Sequence, residues 1–301
     1  MTVNSRFRIP LLITTIAVLS ACDSGSGDDL DKPAGLELEP GDYAGERAAA
    51  TDLEALESLT ETEGLVRDTE DFMLVLMDRL DAAWAGEAGD NPEECYQGND
   101  NLKVTYESAD GRDFARYKMD DCVVPGYGES ARLDGTMEFE AQSSDNGSVT
   151  TVTYNIEGSR GGRTLDLIGT RTAQVTTSGD STTETRVTTD QMEYELASRY
   201  IALWDYESNT SKQGESLTRS VEGIVVDSEV DGFVQVSTPV TVAWDEAGGC
   251  PDRGHVKYQG VGTLEVRYGE NSGNGKGQEW LANGSDVEYR DTCEAVLGVI
   301  E

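Results

Sequence analysis

Apolar and polar residues alternate with a period of two from about Cys95 onward, in stretches rich in Thr, Val and Tyr and broken at Gly, Asp and Asn. That period sends successive side chains to opposite faces, so it commits the chain to β-strands with one face covered and one face wet. Leu102, Val104 and Tyr106 alternate ahead of Asp110-Gly111, a dipeptide suited to a two-residue hairpin turn. Met137 with Phe139, and Val152 with Tyr154 and Ile156, mark further strands. The longest run is Met192, Tyr194, Leu196, Ser198, Tyr200, Ala202, Trp204 and Tyr206, with Glu193, Glu195, Arg199, Asp205 and Glu207 on the other face. It reads as one strand with a buried side, although a helix through Leu196, Tyr200 and Trp204 fits the same residues. More strands are expected around Val221 to Val226, Phe233 to Val236, Val240 to Trp244, Val256 to Tyr258, Leu264 to Tyr268 and Val287 to Tyr289.

Roughly a dozen short strands at this spacing predict a mainly β protein: an antiparallel sandwich, barrel or curved half-barrel. The 33 Gly fit such a turn-rich build better than a helical bundle. Leu133-Asp134-Gly135 and Val221-Glu222-Gly223 open similar strands, but no fixed period supports a propeller or solenoid.

One stretch breaks the pattern. Between Thr51 and Ala85, Phe72, Met73, Leu76, Leu80, Ala83 and Trp84 recur at spacings of three and four, which predicts an N-terminal helical segment over 51–86. A shorter piece carries Leu53, Leu56 and Leu59, and Thr60 with Glu63 has the spacing of a capping box for the helical turns beyond it. Gly86 to Pro92 ends the segment, and the β domain is expected over 87–301.

The first residues carry an address. Arg6 and Arg8 precede a mostly apolar stretch, Ile9 to Leu19, too short to span a bilayer as a helix and of signal-peptide length. It ends in Leu19-Ser20-Ala21-Cys22, which resembles the lipobox of bacterial lipoproteins. The resemblance covers this leader alone. It implies a signal peptide over 1–21, diacylglycerol on Cys22, and a membrane as partner through an N-terminal lipid, with the folded part in the cell envelope outside the cytoplasm. Asp23 resembles the inner-membrane retention signal of enteric lipoproteins, a rule that differs between bacterial groups, so the choice of membrane stays open. Residues 22–50 are rich in Gly, Asp, Glu and Pro and poor in large apolar groups, which predicts a disordered tether reaching about 30 Å.

With Cys22 set aside, Cys95, Cys122, Cys250 and Cys293 form an even set in an exported protein, so two disulfides are expected. Residues facing each other across a hairpin have a constant sum. Cys95 with Cys122 centres just before Asp110-Gly111, and Cys250 with Cys293 centres inside the glycine-rich loop around Asn271, which favours those two pairs.

Chemistry is harder to find. Fifty-eight acidic against 23 basic residues, a formal charge of −35, argue against a nucleic-acid partner, and such a surface stays soluble in high salt. A single His leaves no multi-His metal site, and no cofactor motif is present: Lys276 lies in a Gly loop that lacks the rest of a phosphate loop. His255 falls in an expected strand, where a lone His is usually structural. No catalytic pair stands out among so many carboxylates. The preferred reading is a non-enzymatic binding or envelope-maintenance lipoprotein, with an apolar ligand or an envelope protein as partner and Tyr194, Tyr200, Trp204 and Tyr206 as candidate ligand-binding residues. A helix followed by a long antiparallel series is similar in element order to the lipoprotein-localisation factors, which implies a half-barrel lipid carrier. The alternatives are a carboxylate-dependent glycan hydrolase and a structural or adhesive surface protein.

Overall fold

The computed structural model describes residues 46–85, 93–96, 99–109, 111–124, 130–197, 199–245 and 250–293. The expected leader, Cys22 and most of the tether expected over 22–50 lie outside the described residues, as do the segment from Gly86 to Pro92, Asp110 and Ser198. The last residues of that expected tether are ordered against the sheet: Arg47 bridges to Phe233, the Ala48 amide donates to the Phe233 carbonyl at 3.0 Å, and Ala48 and Ala50 are buried. Among the described residues the fold is mainly β, one curved antiparallel sheet forming a ring-like partial barrel with one α-helix. Helix α1 is Leu53–Ala85. The strands are β1 Leu102–Ala109, β2 Arg112–Val124, β3 Ala131–Ser144, β4 Gly147–Arg160, β5 Arg163–Ser178, β6 Ser181–Leu196 and β7 Arg199–Gln213. They continue as β8 Ser216–Asp227, β9 Gly232–Trp244, β10 Arg253–Gln259, β11 Thr263–Gly269, β12 Gln278–Ala282 and β13 Asp286–Arg290. Each pairs with the next, so the 13 strands among the described residues form one meander in chain order. No helix among the described residues is long and apolar enough to cross a membrane.

The sheet bends around the helix. At the C-terminal end of α1, Asp81 accepts hydrogen bonds from Tyr106 of β1 (2.5 Å) and Tyr117 of β2 (2.8 Å). Near its N-terminal end, Glu57 lies 3.7 Å from Arg290 of β13. Those helix residues are about 36 Å apart along an α-helix, whereas thirteen strands laid flat would be roughly 58 Å wide. The sheet therefore wraps, and α1 occupies its concave face. One cross-strand row runs through Tyr117, Met137, Tyr154, Gly169, Met192, Leu203, Val225 and Val234, pairing residue to residue from β2 to β9. All but the glycine are buried, in one core with Leu56, Leu59, Met73 and Leu80 of α1, so helix and sheet are parts of one body.

Bending at a defined line needs bulges. Register slips between Met119 and Cys122 in β2, and between Trp204 and Glu207 in β7; Asp121 and Asp205, both at φ 46°, sit at the slips. The neighbouring strands answer with Gly135 (φ 112°) and Gly223 (φ 140°). A Cβ on Gly135 would lie 2.1 Å from the Asn155 carbonyl oxygen, and one on Gly223 would lie 2.6 Å from the Tyr206 Cα, so only glycine fits. The weak likeness of the two Asp/Glu-Gly segments marks these two corners.

Several expectations are corrected. The run from Met192 to Tyr206 is two strands: β6 ends at Leu196, Ala197 turns at φ 62°, and β7 begins at Arg199. The polar face of that run is not wet throughout either, because Glu193 and Arg199 are buried. The two helical pieces are one helix, capped by Asp52, whose Oδ1 accepts from the Ala55 amide at 2.9 Å. Thr60 and Glu63 form no capping box: the Thr60 hydroxyl donates to the Glu57 carbonyl, and Glu63 faces the sheet. Phe233 to Val236 and Val240 to Trp244 are halves of β9, while β12 and the Thr-rich strand β5 have no counterpart among the expected strands.

Both expected disulfides form, Cys95–Cys122 and Cys250–Cys293, with Cα atoms 4.7 and 5.0 Å apart. Neither closes the end of one hairpin. The chain before β1 runs parallel to β2, with the Cys95 amide donating to the Val123 carbonyl at 2.9 Å. Cys250 precedes β10 and Cys293 follows β13, so that bridge spans four strands. Chain-entropy arguments put each at about 3 to 4 kcal/mol.

The corners give a direct test. Gly135→Ala and Gly223→Ala should each cost more than about 2 kcal/mol in chemical denaturation, whereas Gly179→Ala should cost about 1 kcal/mol. Gly179 also has positive φ (59°) but stands in the open β5–β6 turn, with nothing within 4 Å of an added Cβ.

Candidate functional site

The buried stripe of α1 is Leu56, Leu59, Glu63, Val66, Glu70, Met73, Met77 and Leu80, a strict alternation of three and four interrupted by two glutamates. Each glutamate meets an arginine and a tyrosine from the sheet. The Tyr194 hydroxyl donates to Glu70 Oε1 at 2.7 Å, and Arg186 Nη1 donates to Oε2 at 2.8 Å. Arg171 Nε lies 3.0 Å from the same carboxylate, with its Nη1 donating to Thr188 at 2.9 Å. About two turns back, the Tyr206 hydroxyl donates to Glu63, and Arg219 Nη2 stands 3.7 Å away. A third contact ties the start of the helix: Arg199 donates to the Ser58 carbonyl, to Thr62 Oγ1 and to Asp227, at 2.6 to 2.9 Å.

The two glutamates differ electrostatically. Burial opposes the charge on both. At Glu70 the adjacent Arg171 and Arg186 outweigh burial and hold the carboxyl below the ordinary value of 4.5. At Glu63 burial prevails over Arg219 and the Tyr206 hydrogen bond, and the carboxyl is raised. Burial, reinforced by Glu70, also pushes the Tyr194 hydroxyl well above its usual range.

Beside Glu70 the sheet leaves a cleft of about 310 Å³ between α1 and strands β3 to β6. Strand pairing explains its two walls. Phe139, Val152 and Arg171 lie in one cross-strand row, and Thr150, Ala173 and Arg186 lie in the next. The β3–β4 side is thus apolar, with Tyr154 behind it, and the β5–β6 side carries Arg171, Arg186 and Glu184, with Glu70 reaching in from the helix. Val152, Tyr154 and Arg171 are buried, while Phe139, Thr150, Ala173 and Val175 are half-buried towards the mouth. A volume at the lower end of small-ligand sites and walls of opposite character suit a small amphipathic molecule.

The four aromatic residues singled out from the sequence do not form one wall. Reversing the chain at Ala197 swaps the parity of buried positions, so Tyr194 pairs with Ile201 and faces α1, while Tyr200 and Trp204 pair with Glu195 and Gln191 on the outer face. The bulge at Asp205 then returns Tyr206 to the helix side. Tyr200 donates to the buried Glu193 at 3.0 Å. The same swap turns Arg199 towards α1. His255 Nε2 lies 3.2 Å from Glu265, with burial lowering its pKa, and no cluster of potential metal ligands occurs among the described residues. Sequence reasoning missed Glu63, Glu70, Arg171, Arg186 and Arg219; the available signal was the unbroken three–four stripe into which two glutamates fall.

Removing either glutamate charge separates their roles. Glu70→Gln leaves two buried guanidinium groups without their shared carboxylate and should cost about 3 to 5 kcal/mol at neutral pH, with Glu63→Gln costing clearly less. Because the Glu70 pKa is depressed in the folded state, its contribution is present above about 4.5 and fades as pH falls through the folded value. The raised Glu63 acts in the opposite sense and favours the folded state as pH falls towards 4.5. Denaturant midpoints across pH 3 to 8 should therefore show a shallower acid-side loss for Glu70→Gln than for the native chain. No protein-family model, curated protein or solved structure matches this chain, so its function rests on its own residues.

Proposed function

We propose that the chain is a non-enzymatic cell-envelope lipoprotein, anchored through lipid on Cys22, whose curved sheet holds a small apolar ligand in the cleft beside Glu70. The observation that carries this reading is the apolar wall of Phe139, Val152, Tyr154, Ala173 and Val175, open to a mouth and backed by the helix. The lipobox and the two disulfides support an oxidising compartment outside the cytoplasm. The glycan-hydrolase alternative is less well supported. It needs two carboxylates across one cleft, one of them kept protonated. The carboxylates here, Glu70 and Glu184, both pair with Arg186, and the Glu70 carboxyl is held low.

Thr150 lines the cleft towards its mouth, one strand further from the ion cluster than Ala173, whose cross-strand partner is Arg186. Thr150→Trp should fill the cleft. The full chain, extracted gently from its membrane, should release a small apolar species on denaturation, detected by mass spectrometry; the variant should release little or none while keeping its thermal midpoint. A native chain that releases nothing, or equal release from both, would count against the carrier reading. Lipidation has its own check. Metabolic labelling with an alkyne fatty acid should mark the native chain, and Cys22→Ser should be unlabelled and shift to the soluble fraction.

A further inference from the structure

We infer that the ligand of this cleft is a single-chain amphipath with a carboxylate head, bound by Arg171 and Arg186 in competition with Glu70. This rests on the carrier reading and names the chemical class of the cargo. The argument starts from charge. In a chain of formal charge −35, the ground around the helix gathers Arg67, Arg171, Arg186 and Arg219. Facing the helix, Arg171, Arg186 and Arg219 stand against the buried Glu63 and Glu70; Arg67 and Glu184, each about one-quarter exposed, pair with each other, and Arg186 also lies 3.6 Å from the exposed Asp71. An interior richer in guanidinium than in carboxylate favours an incoming anion.

Donor geometry points the same way. A guanidinium offers five N–H groups in a planar fork that matches a carboxylate. Arg171, which lines the cleft, has its buried Nε close to Glu70 but makes no aligned hydrogen bond through it. Such donors are seldom left unmet in a buried site. A carboxylate arriving along the β5–β6 wall would meet Arg171 and Arg186 while its chain lay against Val152 and Phe139 on the other side, with Val175 of β5 towards the mouth. At about 310 Å³ the cleft suits one chain better than a two-chain lipid.

The test uses the full chain in its own membrane with two photoactivatable probes of equal length, a diazirine fatty acid and the matching fatty alcohol. Crosslinks are mapped to the peptides carrying Phe139, Val152 and Val175. The acid should label them about tenfold more than the alcohol, as one charge-assisted contact would give. Glu70→Gln removes the internal competitor, so acid labelling should rise, and the acid but not the alcohol should restore the lost thermal midpoint. Should that variant fail to fold, Glu184→Gln, at a more exposed position, should still raise acid labelling. Equal labelling by acid and alcohol would overturn the carboxylate assignment and leave the carrier reading standing. Labelling of the cleft by neither would overturn both. Acid labelling that falls in Glu70→Gln or Glu184→Gln, with no rescue, would also overturn the assignment.

Discussion

The carboxylate of Glu70 is where the molecule is held together. It lies inside the curve of the sheet, takes a hydroxyl from Tyr194 and a guanidinium proton from Arg186, and has Arg171 alongside. A buried charge of this kind contributes little net stability when paired and costs a great deal when its partners are absent. Its effect is to fix one register. A helix slid by a turn, or rotated by one residue, would leave Glu70 and Glu63 against aliphatic wall and the sheet arginines without anions. Hydrophobic burial supplies the driving force, but apolar stripes on a long helix tolerate sliding. The paired charges do not.

The curvature that makes room for the helix has a separate cause. Two aspartates in left-handed conformation and two glycines opposite them bend the meander at fixed lines. Between those lines the register shifts again after Gly169 and between Val187 and Gln191, yet one buried row still crosses from β2 to β9. The cleft lies between the corners, where β3 to β6 run long and the helix covers only part of the concave face. Its opposed apolar and ionic walls come from different strands along the same rows, β3–β4 against β5–β6, with no special loop involved.

Much of this was legible in the sequence. Period-two alternation set the class, and constant-sum reasoning found both cysteine pairs, although the chain reaches each pair by a different path. Three features escaped for physical reasons. Glu63 and Glu70 interrupt the apolar stripe, so hydrophobic periodicity alone split one helix into two. Even spacing from Met192 to Tyr206 hid a two-residue turn, since a tight hairpin preserves alternation along the chain while exchanging the faces. Arg171 and Arg186 sit among threonines and look like solvent-facing positions of a polar strand. What buries them is a helix about a hundred residues earlier, and nothing local records that contact.

That separation shapes how the molecule is made. The contacts of Glu70 with Arg186, Glu63 with Tyr206 and Thr62 with Asp227 join residues 116, 143 and 165 positions apart. The helix therefore emerges more than a hundred residues ahead of its partners, whichever side of a membrane it folds on. An entirely apolar stripe of that length would be a standing invitation to aggregate during the interval. Two glutamates set into it give the nascent helix a hydrated face until the arginines arrive. The groups that later specify the register of the finished fold thus also keep its first-made element in solution.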